Sequence, residues 1–552
     1  MTQYIHLDIG ADSSQNFLRA WQAWRADPRR PSLLHFVAVC GDACQNTSID
    51  DSLRPLAKAL DAQLWGLLPG FHRLAFEGGQ VLLTLCIGNM QNLLKQLAFE
   101  ADSVFLDNLT SPWVGSLYTI KAIARQCKRG TVFKSACRDS ALQAALRQCG
   151  FSTDPLSALS AIYNPDWAIK KPSVVTKAGS CIVLGAGLAG AAVASSLARR
   201  GWAVTVVDAA SAPASGASSL PAGLLVPHTS TDDSLLSRLS RAGVRMTLQQ
   251  AREQLRHGTD WGHTGVLQRD MGEGQLKLPP AWAGLHWRAA SDWCYPASER
   301  TLAAAGLGPR NHALWHAQAG WVKPAALVAA WLATPGIAWR GDVGAAQLKQ
   351  TPAGWQVLDE AGKLHAQADM VVLCAGYASQ ALAKSAGVSI PNLQAVRGQI
   401  TLGLRGDGAP MPPFAVNGFG NLIPAVPTPN GAMWLMGASY ERDADTSNIK
   451  AQDHADNLAR LTALLPHTAQ ALQDQFTLSN ARGWAGIRCA TRNRLPLVAP
   501  ANSGSAGPWL CTGMGSRGLS FAALCGELLA AQIHGEPLPI ESQLAKAMGQ
   551  PL

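Results

Sequence analysis

The sequence predicts an α/β fold class with a second, strand-rich part that makes the chain α/β plus α+β. Over residues 1–165, short apolar runs alternate with stretches of helical period, which is typical of a mostly parallel sheet with covering helices. A strand–turn–helix–strand unit spans Cys181–Asp208, and a strand-rich region spans Leu393–Tyr440. We therefore expect two parallel α/β sheets and a further sheet in the C-terminal half.

The strand–turn–helix–strand unit carries a glycine fingerprint for binding a dinucleotide. The apolar run Cys181–Leu184 predicts a buried strand, and an alanine-rich helix pattern follows the turn formed by Gly185, Ala186, Gly187 and Gly190. The first glycine permits the tight turn, the second lets the backbone approach a pyrophosphate, and the third lets helix and strand pack closely. The phosphates then lie at the positive helix N-terminus, where free N–H groups point at them.

The residue that ends this unit narrows the choice of cofactor. Gly201 ends the helix pattern, and Ala203–Val207 predicts a second strand that leads into Asp208. An acid here can accept hydrogen bonds from the adenosine ribose, which favours FAD or NAD over NADP. The alternative is a membrane helix, because residues 181–198 carry no charge and are about long enough. The three glycines and the change from strand to helix period argue against it.

The composition describes a globular chain with a basic balance. Its 552 residues predict about two to four domains. The net charge of +9 and the sequence pI of ≈ 9.0 favour a polyanionic partner. The first residues lack the apolar region of a signal peptide, and the 12 cysteines include no C-x-x-C pair. We therefore expect a cytoplasmic protein with buried free thiols, no metal site and no membrane segment.

Regular periods predict the elements of the first 165 residues and the segment that follows them. Apolar runs predict strands at Leu33–Val39, Gln80–Ile87, Ser103–Leu106 and Gly130–Lys134. Helical periods predict helices at Ser52–Leu64, Leu117–Cys127 and Ser140–Cys149. The basic, proline-containing stretch 166–177 predicts a linker into the nucleotide-binding unit.

Small residues after Asp208 predict a segment that can pass close to a cofactor without side-chain clashes. Its candidate cofactor-binding residues are Ser215, Gly216, Ala217, Ser218 and Gly223. An ordinary flexible surface loop is the alternative interpretation. Helices are expected at Ser234–Leu255 and at about 451–465, whereas residues 260–317 are rich in tryptophan and short turns, with no clear period.

The C-terminal part offers two more places where backbone can approach a ligand. Met370–Gly376 predicts a buried strand that ends in the candidate residue Gly376. Beyond it, a predicted strand, a glycine turn and the apolar helix Ser520–His534 make a second site where N–H groups meet an anion or a polar ring edge. The candidate residues of this turn are Gly513, Gly515, Ser516, Arg517, Gly518 and Leu519.

These pieces, in this order, resemble the D-amino-acid-oxidase-like flavoenzymes, which include glycine and sarcosine oxidases. The flavin half of the bifunctional tRNA wobble-uridine modification enzymes is more similar still, through six blocks: AGWVKPAAL (319–327), VRGQI (396–400), GASYERD (437–443), GIRCATRNRLPLV (486–498), GSRGL (515–519) and GELLAAQIHGEPLP (526–539). The resemblance implies an FAD-binding Rossmann domain interrupted by a mostly antiparallel substrate domain. The implied FAD-binding segments are 178–245, 318–385 and 485–552, and the implied substrate-domain segments are 246–317 and 386–484.

Residues 1–165 resemble the methyltransferase half of that family, through SLLHFVAV (32–39), LPGFHRL (68–74), FLD (105–107) and GTV (130–132). The positions that carry the chemistry differ. The glycine-rich S-adenosylmethionine loop of the family falls on DIGADSS (8–14), and the acid expected for the ribose falls near Cys40. We therefore expect a degenerate methyltransferase-like domain that binds no S-adenosylmethionine and serves as a scaffold or helps to dock tRNA.

The resemblance implies that the flavin half oxidises a modified nucleoside of tRNA. Its substrate is 5-carboxymethylaminomethyl-(2-thio)uridine at the wobble position, and loss of the carboxymethyl group leaves 5-aminomethyl-(2-thio)uridine and glyoxylate. The resemblance assigns the substrate carboxylate to Arg488, because arginine binds carboxylates bidentately. It places Arg517 beside the flavin, and Tyr440 becomes a lid or hydrogen-bond donor. For each residue the alternative is a surface salt bridge.

Three functions remain open at this point. The first is a tRNA-modifying, FAD-dependent oxidoreductase that acts on a CH–NH group. The second is an FAD-dependent oxidase of a free small amine such as glycine or sarcosine, and the third is a catalytically silent flavoprotein or RNA-binding scaffold. The net charge of +9 and the methyltransferase-like part favour the first over the second. The GIRCATR and GSRGL blocks disfavour the third.

Overall fold

The structure is a computed structural model of the chain. It describes residues 2–10, 13–40, 50–107, 116–136, 139–153, 160–169, 177–272, 276–283, 285, 287–345, 347–406, 408, 410–477, 479–501 and 507–549. The chain divides into two compact units, of which unit 1 comprises Met1–Ala178 and Leu528–Lys546. Unit 2 comprises Gly179–Glu527 and Ala547–Leu552. Most of the predicted linker 166–177 lies outside the described residues.

Unit 1 is an α/β layer structure. Its strands are β1 (Gln3–Ile9), β2 (Leu33–Cys40), β3 (Gly70–Phe76), β4 (Val81–Ile87), β5 (Ala101–Leu106), β6 (Cys127–Ser135), β7 (Phe151–Thr153) and β8 (Ser160–Tyr163). Its helices before residue 178 are α1 (Ser13–Ala26), α2 (Arg54–Asp61), α3 (Met90–Gln96), α4 (Leu117–Ala124) and α5 (Ser140–Gln148).

The sheet of unit 1 has the order β3-β4-β2-β1-β5-β6-β8-β7 within the described residues. The five central strands pair in parallel, in the order β4, β2, β1, β5 and β6. The pairs at both edges are antiparallel. Apolar side chains cover both faces of the central strands, as expected where helices pack on a parallel sheet. The predicted strands and helices of this region are confirmed, with ends that differ by a few residues.

Unit 2 contains the remaining elements. Its strands are β9 (Ser180–Leu184), β10 (Ala203–Val207), β11 (Gly223–Leu225), β12 (Trp261–Gly262), β13 (Val266–Arg269), β14 (Tyr295–Pro296), β15 (Ala313–His316), β16 (Gly320–Val322), β17 (Ile337–Arg340), β18 (Gln347–Thr351), β19 (Gly354–Leu358), β20 (Leu364–Ala368), β21 (Met370–Leu373), β22 (Gln394–Leu404), β23 (Ala415–Gly418), β24 (Gly420–Thr428), β25 (Gly431–Gly437), β26 (Glu441–Arg442), β27 (Arg482–Ala490), β28 (Leu497–Pro500) and β29 (Trp509–Thr512).

The helices that begin in unit 2, together with the final helix, complete the architecture. They are α6 (Leu188–Ala198), α7 (Leu235–Gln254), α8 (Trp287–Ser291), α9 (Glu299–Ala304), α10 (Pro324–Leu332), α11 (Ser379–Ser385), α12 (Ala451–Leu464), α13 (Pro466–Leu472), α14 (Gly518–His534) and α15 (Ser542–Gly549). Ser234 caps α7 by accepting a hydrogen bond from the Ser237 N–H, and Pro324 opens α10, where its missing N–H costs nothing.

Two large sheets organise unit 2. The first has the order β17-β10-β9-β21-β29-β28 among the described residues and is parallel except for its last pair. The second has the order β14-β15-β13-β23-β24-β25-β22-β26, with β27 also paired to β22, and is antiparallel except for the pair β13 and β23. The predicted α/β plus α+β fold class is confirmed, and the detailed domain boundaries stay a prediction.

The glycines of the fingerprint bring α6 close to the parallel sheet. A Cβ at Gly190 would lie 1.7 Å from the carbonyl oxygen of Gly185, so only glycine fits at this contact. On the other side of α6, a Cβ at Gly526 would lie 2.7 Å from the carbonyl group of Ala192. The helix is therefore held at backbone contact distance between the first turn of the fingerprint and α14.

Candidate active site

A cavity of about 820 Å³ opens between the parallel sheet and the antiparallel sheet of unit 2. Its volume is within the roughly 300–1,000 Å³ that is usual for sites of small ligands and cofactors. The predicted site residues that line it are Gly185, Gly187, Asp208, Ser215, Gly216, Ala217, Ser218, Gly223, Gly376, Tyr440, Arg488, Gly513, Gly515, Ser516, Arg517, Gly518 and Leu519. Ala186 and Gly190 support the turn from behind the cavity wall.

The fingerprint turn is held by the acid at the end of the next strand. Gly185 has a φ of +105°, and a Cβ there would lie 2.6 Å from the carbonyl oxygen of Cys374. The Ala186 N–H donates to Asp208 Oδ2 over 2.7 Å, and the Ala210 N–H donates to Oδ1 over 2.9 Å. Both carboxylate oxygens keep a further lone pair, so Asp208 can still accept a ribose hydroxyl.

The small-residue segment predicted after Asp208 lies over the N-terminus of α6. The Ser218 hydroxyl accepts the free N–H of Leu188 over 3.0 Å, and it lies 3.0 Å from the position of a Cβ on Gly187. The Ala214 N–H donates to the carbonyl of Ala186 over 3.0 Å. This segment therefore lines the place where a phosphate would meet the helix with hydroxyl and backbone groups rather than bulky side chains.

The second glycine turn is tied to two neighbouring segments. The Gly515 N–H donates to the carbonyl of Cys489 over 2.7 Å, and the Thr512 hydroxyl donates to the carbonyl of Gly376 over 3.0 Å. Gly513 and Gly515 have φ values of +75° and +56°, a conformation that glycine adopts without strain. The turn brings the N-terminus of α14 to the cavity wall.

Arg488 lies on β27 and extends across the neighbouring strand β22. Its Nη2 donates to the Ser439 carbonyl over 3.1 Å. A Cβ at Gly398 would lie 1.9 Å from the same nitrogen, so the missing side chain of this glycine makes room for the guanidinium. Ser439 is fixed in turn, because its N–H donates to the Gln399 carbonyl and its hydroxyl accepts the Gln399 N–H, each over 3.0 Å.

The charge of Arg488 has no carboxylate partner among the described residues. Burial lowers the pKa of its guanidinium, which nevertheless remains a cation at neutral pH. The ring of Tyr440 lies 5.9 Å from the guanidinium carbon and supplies a weak cation–π contact. A half-buried cation at a cavity wall without a counter-ion favours an anionic ligand group at that position.

Arg517 is a second cation of this wall. Burial, and then the charge of Arg494, lower the pKa of its guanidinium. Burial, and then the charge of Arg517, also lower the pKa of His228. Within the described ranges Arg517 forms no ion pair with a carboxylate. Its place between the glycine turn and α14 suits contact with a polar ring edge or an anion.

The structure adds four residues that sequence analysis missed. Gly398 and Ser439 position Arg488, and their blocks VRGQI and GASYERD were the available signal. Trp484 lines the cavity and donates its Nε1–H to the Ser219 hydroxyl over 2.8 Å. Cys489 also lines the cavity, and burial raises the pKa of its thiol, so it is not a nucleophile at neutral pH.

The residues present fit FAD. The glycine cradle at 185–190 leaves the backbone open to a pyrophosphate, Asp208 stands at the strand end where a ribose is bound, and the cavity continues to Arg517 and Gly513. A dinucleotide with a second ring system fills such a continuous cavity, whereas a mononucleotide would leave most of it empty.

The fold and the site define an FAD-dependent oxidoreductase. A model of the family described as FAD dependent oxidoreductase matches residues 180–532, and a model of an S-adenosyl-L-methionine-dependent methyltransferase family matches residues 51–156. The chain belongs to the family of the tRNA 5-methylaminomethyl-2-thiouridine biosynthesis bifunctional protein MnmC. The predicted family, enzyme class and cofactor are therefore confirmed.

Two relatives support the family, and a solved structure supports the fold. The MnmC protein of Polaromonas sp. (strain JS666) is 49% identical over 577 residues, which cover 99% of this chain and 90% of the relative. The MnmC protein of Cupriavidus necator (strain H16) is 35% identical over 608 residues, covering 99% and 89%. The crystal structure of glycine oxidase from Geobacillus kaustophilus shares the fold, with 21% identity and a TM-score of 0.52, covering 65% of this chain and 96% of that one.

In unit 1, Asp8 and Asp107 lie at the carboxyl ends of the neighbouring parallel strands β1 and β5. Asp8 is fully buried, and its two oxygens accept the Ser13 hydroxyl over 2.5 Å and the Asn16 amide over 3.0 Å. A Cβ at Gly10 would lie 2.5 Å from the Cβ of Asp107. Ligands of parallel α/β sheets bind at this carboxyl end of the strands. Residues 11–12, 41–49 and 108–115, which include part of the predicted cofactor loop, lie outside the described residues.

Two further properties concern metals and membranes. Among the described residues, no group of three or more His, Cys, Asp or Glu side chains is arranged to hold a metal ion. None of the helices in the described ranges combines the length and apolar character needed to cross a membrane.

Proposed function

We propose that this chain removes the carboxymethyl group from 5-carboxymethylaminomethyl-(2-thio)uridine at the wobble position of tRNA. The observation that carries the proposal is Arg488, a half-buried cation at the cavity wall with no carboxylate partner among the described residues. The substrate is a secondary amine with a glycine-like carboxylate, which supplies the missing anion. The relatives are named for biosynthesis of tRNA 5-methylaminomethyl-2-thiouridine, a product of the same modification series.

The residues of the chain bind and orient the substrate. Arg488 holds the carboxylate, and Ser439 and Gly398 fix the direction of its guanidinium. The glycine cradle at 185–190 and Asp208 would hold FAD, which would supply the acceptor for the hydride on the carbon between the amine and the carboxylate. The neutral amine already supplies the electron pair that stabilises the oxidised product, so no side-chain base is required.

We further propose that unit 1 has lost methyl transfer, binds no S-adenosylmethionine and helps to dock tRNA. The support for the loss is the buried Asp8, whose oxygens are engaged by Ser13 and Asn16 where the cofactor loop would begin. The support for docking is the net charge of +9. A tRNA substrate also implies that the protein acts in the cytoplasm, without a metal or a membrane partner.

The proposal can be tested in cells. A strain without this chain should accumulate the carboxymethylaminomethyl nucleoside in tRNA, and wild-type protein should convert it, as measured by mass spectrometry of nuclease digests. Arg488→Ala should fail to complement although it retains FAD, since losing such a charge-assisted contact costs about 30- to 5000-fold in rate. Arg488→Lys keeps the charge but not the bidentate geometry and should complement partly. Unchanged wobble nucleosides in the deletion strain would contradict the proposal.

A further inference from the structure

We infer that the exposed rings of Phe419 and Tyr440 form a stacking site for nucleobases of a single-stranded RNA loop at the mouth of the cavity. We call these two residues the rim aromatic pair. The inference rests on the proposed function, because it identifies how the nucleotides beside the reacting uridine are held. Phe419 lies outside the six sequence blocks and has no role so far. Tyr440 lies in the block GASYERD and has only the expected role of a lid or hydrogen-bond donor.

Phe419 lies at the tip of the hairpin between β23 and β24. Its ring is 57% exposed, although it belongs to an apolar side chain that could have been buried. Its neighbours Gly418 and Gly420 line the cavity, so the ring stands at the cavity rim. The guanidinium carbon of Arg460, on α12, lies 5.5 Å from the ring centroid.

Tyr440 repeats this arrangement on the adjacent segment. It lines the cavity and is 58% exposed. The guanidinium carbons of Arg442 and Arg488 each lie 5.9 Å from its ring centroid. Tyr440 therefore lies between Arg442 on the outer surface and Arg488 at the cavity wall. Arg488 would hold the substrate carboxylate.

Strand register places Phe419 and Tyr440 beyond the same end of the strand pair β24 and β25. Asn421 on β24 pairs with Gly437 on β25 in antiparallel register, so the residues just before Asn421 and just after Gly437 leave the sheet at the same end. A Cβ at Gly420 would lie 3.1 Å from the carbonyl oxygen of Gly437. Phe419 and Tyr440 thus lie beyond the same end of this strand pair, two residues before Asn421 and three residues after Gly437.

The chemistry of the rim matches unpaired nucleotides better than other partners. Single exposed apolar residues are ordinary, but two exposed rings at the same end of one strand pair, each with an arginine, offer π-faces for bases and cations for the phosphates between them. Neither Arg442 nor Arg460 has a carboxylate partner in the described part of the chain. Glu441 pairs with Arg397 and Lys450, and Asp453 pairs with Arg397. The other acids of this region are Asp443, Asp445 and Asp456, of which Asp456 lies one turn before Arg460 on α12 and accepts the Gln452 amide.

The occupant is a loop rather than a duplex. Bases within a duplex are already stacked and cannot lie on a protein ring, whereas unstacked loop bases are recognised on aromatic and arginine surfaces. The reacting uridine must leave its own stack to reach the cavity, since the flavin cannot approach a stacked base. The nucleotides on either side of the uridine then each lose a stacking partner. The rings of the rim aromatic pair take the place of the missing base.

The test uses the full-length, FAD-loaded protein and an anticodon stem-loop with 2-aminopurine beside the wobble position. Stacking on a ring quenches the fluorescence of 2-aminopurine. Phe419→Ala should weaken binding of the stem-loop by roughly 5- to 150-fold and remove the quenching, because one base–aromatic stack is lost. Phe419→Trp and Tyr440→Phe each keep an aromatic ring and should retain the affinity for the stem-loop and the quenching. Tyr295→Ala is the matched control, since Tyr295 is 40% exposed and lies on β14, away from this strand end.

Separate readouts distinguish the inference from the proposed function. Binding and quenching test the rim aromatic pair, while conversion of the modified nucleoside tests the activity. Unchanged affinity and quenching in Phe419→Ala would overturn the inference even if tRNA is converted, and so would equal losses in Tyr295→Ala. Normal binding and quenching without conversion would overturn the proposed function and leave the rim aromatic pair supported. The flavin spectrum and the melting temperature of each variant verify its folding.

Discussion

The guanidinium of Arg488 occupies the space that a side chain on Gly398 would fill. A Cβ at Gly398 would lie 1.9 Å from Arg488 Nη2 and 2.6 Å from Cζ. The two residues lie on the paired strands β27 and β22, and Arg488 pairs in register with Val396. The position of the proposed substrate-binding cation thus depends on the absence of a side chain on the neighbouring strand.

Gly398→Ala should therefore impair catalysis without impairing the fold. The end of an arginine side chain can move away from a new methyl group, so the protein should fold and hold FAD. The displaced guanidinium should lower kcat/KM by about 100-fold, since misplacement by about 1 Å costs that much. Steady-state kinetics with tRNA substrate measure this effect. Gly308→Ala is the control, because Gly308 is exposed and no atom approaches its Cβ position more closely than 4.0 Å.

The result for Gly398→Ala is informative in either direction. A variant with wild-type kcat/KM would show that Arg488 does not need its present position, which contradicts its assigned role. Equal losses in Gly398→Ala and Gly308→Ala would attribute the effect to the backbone rather than to the guanidinium.

Asp208 should control the affinity for FAD. Its carboxylate holds the Ala186 and Ala210 N–H groups and faces the cavity. Asp208→Ala removes these charge-assisted hydrogen bonds and should raise the Kd for FAD by roughly 10- to 150-fold. Titration of apoprotein with FAD, followed by flavin fluorescence, measures the change. The exposed Asp474, replaced by Asn, should leave the Kd unchanged. Wild-type affinity in Asp208→Ala would remove the residue from the cofactor site.

His316 should make the stability of unit 2 sensitive to acid. It is fully buried, with Nε2 2.7 Å from Gln268 Oε1, and burial lowers its pKa from 6.5 to about 4. As the pH falls, the unfolded chain binds the proton first. The contribution of the neutral imidazole is therefore complete above about pH 6.5 and is lost as the pH approaches 4, by up to about 3 kcal/mol.

His316→Gln should remove this dependence. Its unfolding free energy in urea should fall less between pH 7 and pH 5 than that of the wild type. The exposed His312, replaced by Gln, serves as the control and should behave like the wild type. Parallel pH profiles for all three proteins would show that His316 is not the responsible group.

Unit 1 should not bind S-adenosylmethionine. Asp8 is buried and accepts hydrogen bonds from Ser13 and Asn16, and Asp107 lies against Gly10, so side chains occupy the described part of the edge where the cofactor would lie. Isothermal titration of the full-length protein with S-adenosylmethionine should show no binding heat, whereas FAD titrated into the same apoprotein should. A micromolar Kd for S-adenosylmethionine would mean that the cofactor site is retained, contrary to the proposed loss.

Elements with regular periods could be predicted from the sequence because their signals are local. The helix expected at Ser234–Leu255 spans Leu235–Gln254, with Ser234 as its cap, and the strand Ala203–Val207 has the predicted ends. The strand Gln3–Ile9 was missed, because His6 and Asp8 interrupt its apolar pattern. Asp8 can be buried there only because Ser13 and Asn16, further along the chain, satisfy its oxygens.

Strands that depend on long-range pairing could not be predicted from the sequence. Residues 260–317 showed no clear period because their strands have two to four residues and depend on distant partners. Val266–Arg269, for example, pairs with Ala415–Gly418. The same limit applies to the site. Arg488 could be assigned by resemblance, but the space at Gly398 and the neighbouring positions of Phe419 and Tyr440 follow from strand register.

The most direct test of the account is the anaerobic reaction of the FAD-loaded protein with tRNA that carries 5-carboxymethylaminomethyluridine. The account predicts that this tRNA bleaches the flavin absorbance, that mass spectrometry finds one aminomethyl nucleoside per flavin reduced, and that Arg488→Ala shows neither change. The same tRNA without the carboxymethyl group should leave the flavin oxidised. Unbleached flavin with the modified tRNA, together with rapid bleaching by free glycine or sarcosine, would contradict the account and identify an oxidase of small amines.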